Sequence, residues 1–201
     1  MNRQRKLAAV TNVRRMVPPE SNAPSRGALI ADFMRSTQSA AEFSKRLRSR
    51  ADAYAGFNLL LYDGEALLYI TNHDGFRSER LMPGIHAVSN ASLDTPWPKL
   101  VSLRDQMKTW SAREQTDAEP LMQALADDRV ALDAALPDTG VGIEMERFLA
   151  PAFIRGPQYG TRASSVIALG IDGTLQFSER RFGPNGAAAG ETRASFATSL
   201  R

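Results

Sequence analysis

The sequence predicts an α+β fold in which antiparallel hairpins alternate with helices. Two Asp-Gly turns carry that expectation. Asp63-Gly64 joins the apolar run Phe57–Tyr62 to Glu65–Thr71, and Asp172-Gly173 joins Thr161–Leu169 to Thr174–Phe182. Asp-Gly between such runs is a strong short-range hairpin signal. The third observation is helical spacing ahead of the first hairpin, at Leu29, Ile30, Phe33 and Met34 and again at Phe43, Leu47 and Tyr54. Hairpins interrupted by amphipathic helices place the helices against the sheets.

Taken in order, Lys6–Val13 reads as a strand that ends on Thr11-Asn12. Met16–Pro24 is a loop broken by Pro18, Pro19 and Pro24. Ser25 can cap the first helix. Ser39 with Glu42 three residues later forms a capping box for the second. The second strand of the first hairpin runs into the polar loop Asn72-His73-Asp74-Gly75. Gly84–Trp110 then reads as strand, turn and helix. Ile85 and Ala87 alternate with His86 and Val88 as in a strand buried on both faces, and the strand ends on Ser89-Asn90. Asp94 and Thr95 supply capping oxygens, Pro96 suits the first helical position, and Leu100, Leu103, Met107 and Trp110 form the stripe. Asp117–Leu125 is a short helix and Asp127–Leu136 a further amphipathic segment. Pro137–Gly140 breaks the chain before a helix at Glu144–Leu149, whose Glu144, Glu146 and Arg147 read as a solvated face. In the last hairpin Leu175 and Phe177 share one side. Gly183–Arg201, rich in Gly and Ala, reads as a loose tail or a weakly packed edge. One domain over residues 1–182 with a tail over 183–201 is the expected organisation.

Composition removes several functions. At 43 % hydrophobic residues the chain can bury a core. With no cysteine it has no disulfide, no thiolate metal site and no thiol nucleophile, and two histidines, His73 and His86, cannot make a histidine-rich metal site. The net charge of +3 arises from 25 basic and 22 acidic residues spread along the chain. Local clusters at Arg3–Arg15 and at Lys45, Arg46, Arg48 and Arg50 read as solvated faces, and no interleaved aromatics point to nucleic acid. No apolar run suits a signal peptide or a membrane span, so a cytoplasmic location is expected.

Asn90 is the first candidate site residue. It sits at the predicted end of a strand ahead of a helix N-terminus, an arrangement that can bind a carbonyl oxygen or an anion; the same residue type also simply closes turns. Asn72 with His73 and Asp74 can line a cleft mouth or form a plain hairpin loop. Asp94, Trp97 and Lys99 can contact a ligand, or serve as a cap, a packed aromatic and a surface lysine.

The blocks AAVTNVR (Ala8–Arg14), SRG (Ser25–Gly27), YAGFNLL (Tyr54–Leu60), VSN-x-x-LDTPWPKL (Val88–Leu100), LPDTGVGIEMERFLAPAFI (Leu136–Ile154) and YGTRASSV (Tyr159–Val166) occur in the order of a known pattern. Together they resemble the NRDE family, the Transport and Golgi organization protein 2 homolog family. That resemblance implies an N-terminal-nucleophile-hydrolase-like fold, with stacked antiparallel sheets flanked by helices. It assigns Asn90 an oxyanion role and Arg162 a place in the cleft, although a short YGTR match equally marks a structural ion pair. Members of the family begin with Met-Cys, the Asn-Arg-Asp-Glu motif and a glycine-rich strand. None of these is present, so the resemblance is to an N-terminally truncated member with its first strands and its nucleophile missing. The implied role is therefore non-catalytic and tied to Golgi organisation and secretion or to haem or lipid handling. The alternative is an amide or acyl hydrolase whose start is misassigned. No resident cofactor is expected. For haem or another small-molecule ligand, His73, His86 and the methionines are the available axial ligands. The oligomeric state is left open.

Overall fold

The computed structural model describes residues 5–14, 22–113 and 117–197. Part of the expected loop at Met16–Pro24 therefore lies outside the described residues. The chain divides into two compact units, Met1–Thr95 and Pro96–Arg201. Each contains an antiparallel sheet and helices, so the α+β expectation holds.

In the first unit, β1 (Leu7–Asn12), β2 (Phe57–Tyr62), β3 (Leu67–Thr71) and β4 (Arg77–Arg80) form one sheet in that order. Helices α1 (Gly27–Arg35) and α2 (Ala40–Leu47), with a 3₁₀ turn over Arg48–Ala53, connect β1 to β2. The alternation in β2 sends Phe57, Leu59 and Leu61 to one face, where they pack with Leu68 and Ile70 against Leu29, Phe33, Phe43 and Leu47. The second helix starts as its local signal directs, with the Ser39–Glu42 capping box fully formed. The first does not: Arg26 is its N-cap and no side chain caps it, the Ser25 hydroxyl reaching only the Gly27 N–H at 3.3 Å. The turn at Asp63 is closed by its carboxylate, which accepts the N–H groups of Glu65 and Ala66 at 3.0 and 2.9 Å. β4 is an addition to the expected hairpin. Its sequence, Arg-Ser-Glu-Arg, has no apolar alternation because every side chain on this edge is exposed.

The second unit holds α3 (Pro98–Ser111), α4 (Glu119–Leu125), α5 (Ile143–Leu149) and a sheet of β5 (Ala163–Leu169), β6 (Thr174–Phe182) and β7 (Ala188–Ala197). Arg180 of β6 donates to Glu119 of α4 at 2.5 Å, tying helix to sheet.

Several expectations are corrected. Ile85–Val88 joins no sheet: Ala87 exchanges hydrogen bonds with Asp94 instead of with a neighbouring strand. Helix α3 begins at Pro98 and not at Pro96. A proline holds the preceding residue out of the helical region, so Trp97 is extended at φ −65°, ψ 142° and no helix can pass through it. No side chain caps this helix; Asp94 and Thr95 bond elsewhere. Along α3 only Leu100 is buried, and Met107 is exposed. The helix packing on it, α4, has seven residues against fourteen and so covers about 10 Å of its ~21 Å length. Asp127–Leu136 forms only a 3₁₀ turn at Asp133–Ala135, with Val130 and Leu132 exposed. Glu146 is buried rather than solvated, since its carboxylate accepts both the N–H and the hydroxyl of Thr139 at 2.8 and 2.6 Å. At the C-terminus the loose-tail alternative gives way to the weakly packed edge: residues 188–197 form the exposed edge strand β7, paired with β6. Their small side chains mask a strand because the ladder is made by main-chain groups, not by an apolar face.

Candidate functional site

In the first unit the candidate residues are set by a loop laid against the sheet. Register places Thr11 of β1, Asn58 of β2 and Thr71 of β3 in one row, on the face opposite the helices. Asn58 is a polar residue inside an apolar strand and is 1 % exposed, so its amide must find partners. Its Oδ1 accepts from the Tyr69 hydroxyl at 2.7 Å, and its Nδ2 donates to Thr11 Oγ1 at 3.1 Å and to the Ala91 carbonyl at 2.9 Å. The Thr11 hydroxyl donates to the Ser89 carbonyl at 2.5 Å, and the Tyr69 hydroxyl accepts from the Leu93 N–H at 3.2 Å. Three strands thus grip residues 89–93 through side chains. Sequence reasoning passed over Asn58 and Tyr69. The available signal was an amide inside FNLLLY.

Asn90 lies in this gripped loop, half-buried. Its Nδ2 donates to the Asn12 carbonyl at 2.8 Å and its own carbonyl accepts from the Arg14 N–H at 2.7 Å, which docks the loop on the end of β1. Asp94 closes the loop on itself. Its Oδ1 accepts from the Ala87 N–H at 2.8 Å, its Oδ2 is 2.9 Å from His86 Nδ1, and its φ is +57°. The other ring nitrogen of His86 lies 3.0 Å from the Met82 carbonyl. Asn72 staples the 3₁₀ turn to β2: Oδ1 accepts from the Phe57 N–H, and Nδ2 donates to the carbonyls of Ala51 and Tyr54.

In the second unit Trp97 is buried and Lys99 projects from the first turn of α3. The Lys99 ammonium donates to the Leu149 carbonyl at 2.9 Å and stands 5.9 Å from the Trp97 ring centroid. Leu149 ends α5, where a cation suits the unpaired carbonyls. Lys99 also lines a cavity of about 350 Å³, walled by Pro98, Leu103, Ala124, Val130 and Leu132. The Asp127 and Arg129 side chains at its edge pair with each other at 2.7 Å, and the Arg129 hydrogen bond holds the Asp127 carboxyl below its usual range. The cavity is an open depression with mixed walls, in which apolar side chains stand beside the Lys99 ammonium, Ser102 and the Asp127–Arg129 pair. None of its lining residues is a histidine or a methionine.

Arg162, ahead of β5, is exposed and makes no ion pair among the described residues. Its carbonyl accepts from the Phe182 N–H at 2.8 Å. The preceding Thr161 exchanges bonds with Ile154, its Oγ1 accepting from the Ile154 N–H at 2.9 Å. Arg162 belongs to the second unit and Asn90 to the first.

Among the described residues, no group of three or more His, Cys, Asp or Glu could hold a metal ion. Within the same residues no helix is long and apolar enough to cross a membrane.

The model of the Transport and Golgi organisation 2 family matches residues 1–184. The chain is similar to the Transport and Golgi organization protein 2 homolog of Bos taurus, at 31 % identity over 194 residues, covering 87 % of this chain and 68 % of that protein. It is 30 % identical over 191 residues to the Transport and Golgi organization 2 homolog of Mus musculus, and 30 % identical over 192 residues to the Transport and Golgi organization protein 2 homolog of Homo sapiens, with the same coverage.

Proposed function

The chain belongs to the Transport and Golgi organisation 2 family, and from that premise we propose that it holds a small amphipathic ligand rather than cleaving a bond. The observation that carries this reading is the open depression beside the start of α3, about 350 Å³ in volume, with Leu103, Val130 and Leu132 in its wall beside the Lys99 ammonium. Its volume is within the range of ligand pockets, and it pairs apolar side chains with a polar group that could orient a ligand. An acyl chain with a terminal acid matches it: the chain lies on the apolar wall and the carboxylate meets Lys99. Leu132, 83 % exposed, then gains cover.

The non-catalytic part of the reading is supported by composition, since the 201 residues contain no cysteine, the nucleophile type that the family resemblance implies. The donor set at Asn90 agrees, since its Nδ2 donates to the main chain of β1. The two antiparallel sheets with their helices are compatible with the N-terminal-nucleophile-hydrolase-like architecture that the family resemblance implies. Haem handling is supported less well than lipid handling. Haem propionates could meet Lys99, but the cavity offers iron no ligand, and both ring nitrogens of His86 are within hydrogen-bond distance of other groups.

Titration with a polyene fatty acid, followed by its own fluorescence, tests the reading, with haem titrated in parallel through its Soret band. Saturable fatty-acid binding that weakens in Lys99→Met and in Leu132→Asp is the expected result. Absence of saturable fatty-acid binding in the unsubstituted protein would discard it.

A further inference from the structure

The arginines near residues 46–50 do more than solvate a helix face. Arg46, Ser49 and Arg50, from the end of α2 and the following 3₁₀ turn, share a depression of about 500 Å³ with Asp32, Arg35 and Ser36 from the end of α1. We propose that this depression binds a phosphate group, carried either by a soluble molecule or by a lipid headgroup. Three guanidinium groups face a single carboxylate there, an excess of two positive charges suited to a phosphate dianion.

The partners of these groups support the assignment. Asp32 accepts from one Nη of Arg50 at 3.2 Å and thereby holds that side chain across the depression. Arg35 and Arg46 form no ion pair among the described residues, and Arg46 is stacked 5.2 Å from the Phe43 ring centroid. The Nε of Arg50 is buried and has no hydrogen-bond partner. The exposed Arg35 and Arg46 guanidinium groups are the accessible donors, and a phosphate oxygen is an acceptor matched to the guanidinium fork. Arginines also occur at helix C-termini because they complement the dipole. That role accounts for the positions of Arg35 and Arg46. It does not explain why Arg50 joins them around one concavity.

Isothermal titration of the 201-residue chain with inorganic pyrophosphate, at constant ionic strength, tests the proposal, alongside sedimentation with phosphatidate vesicles and with phosphatidylserine vesicles of equal charge. We expect saturable pyrophosphate binding that Arg35→Glu and Arg46→Glu each weaken by about tenfold or more. Both residues are exposed, so folding should survive, and a thermal scan checks it. Arg48→Glu makes the same charge change outside the depression, where Arg48 stands 4.9 Å from the Phe76 ring centroid, and should leave binding intact. A soluble source is indicated if pyrophosphate alone binds, and a headgroup source if phosphatidate vesicles bind in preference to phosphatidylserine; either supports the site. Equal loss in all three variants, or no saturable binding to either probe, overturns it.

Discussion

Asp63 shows how much one side chain can organise. Its carboxylate closes the turn between β2 and β3 and also accepts from the N–H of Ala40, the first residue of α2, at 2.8 Å. Burial alone would raise its pKa. The N–H donors of Ala40, Ala66 and Glu65 outweigh that and hold the carboxyl below its ordinary value. A carboxyl depressed on folding adds stability that is fully present above its unfolded pKa of about 3.9 and is lost as pH falls through the folded value. Asp63→Asn should therefore cost roughly 1–2 kcal/mol at neutral pH in urea unfolding followed by circular dichroism. The gap between the two proteins should shrink below about pH 4. A gap that stays constant into the acid range would mean that charge is not the source. The hairpin role of Asp63 was legible from Asp-Gly. Its bond to α2 was not, because Ala40 lies 23 residues away. The same holds for Glu146, whose burial depends on where Thr139 folds back over α5.

Among the elements, the segment from Ile85 to Pro98 departs furthest from its pattern. Alternating residues suggested a strand, and Asp94 a cap. In the structure Asp94 instead closes Ala87–Asp94 through its carboxylate and its N–H, with its backbone at φ +57°. Two substitutions separate these contributions. Asp94→Ala and Asp94→Gly lose the same side-chain bonds, but only alanine keeps a Cβ in the left-handed region. Asp94→Ala should therefore be less stable than Asp94→Gly by about 1 kcal/mol in matched denaturant titrations. If glycine is equal or worse, backbone strain contributes nothing here. The helix that follows was legible in its stripe, while its start was set by Pro98 acting on Trp97, a local rule that outranked the capping signal of Asp94 and Thr95.

Across the whole molecule, burial is uneven. The first unit concentrates fully buried side chains such as Phe33, Phe43, Phe57, Leu59 and Ile70, whereas in the second unit β7 is exposed along nearly its entire length. Opening free energy follows buried contacts and shielded backbone bonds. Amide exchange should thus be slowest in β2 and β3 and fastest, among the strands, in β7. Hydrogen–deuterium exchange read by mass spectrometry decides this, and β7 amides as protected as those of β2 would refute it. What the sequence determined by itself is the set of elements whose cause lies within a few residues: both Asp-Gly hairpins, the Ser39–Glu42 box, the apolar faces of α1 and α2, and the absence of a thiol. Tertiary structure alone decided the edge strand β4, the choice of edge over tail at β7, the grip of Thr11, Asn58 and Tyr69 on residues 89–93, and the depression beside Lys99. The physical reason is that a ladder or a buried amide needs only a hydrogen-bonding partner, whatever its residue type. Such partners stand far along the chain, as the 78 positions between Thr11 and Ser89 illustrate, so no local pattern of polarity records them.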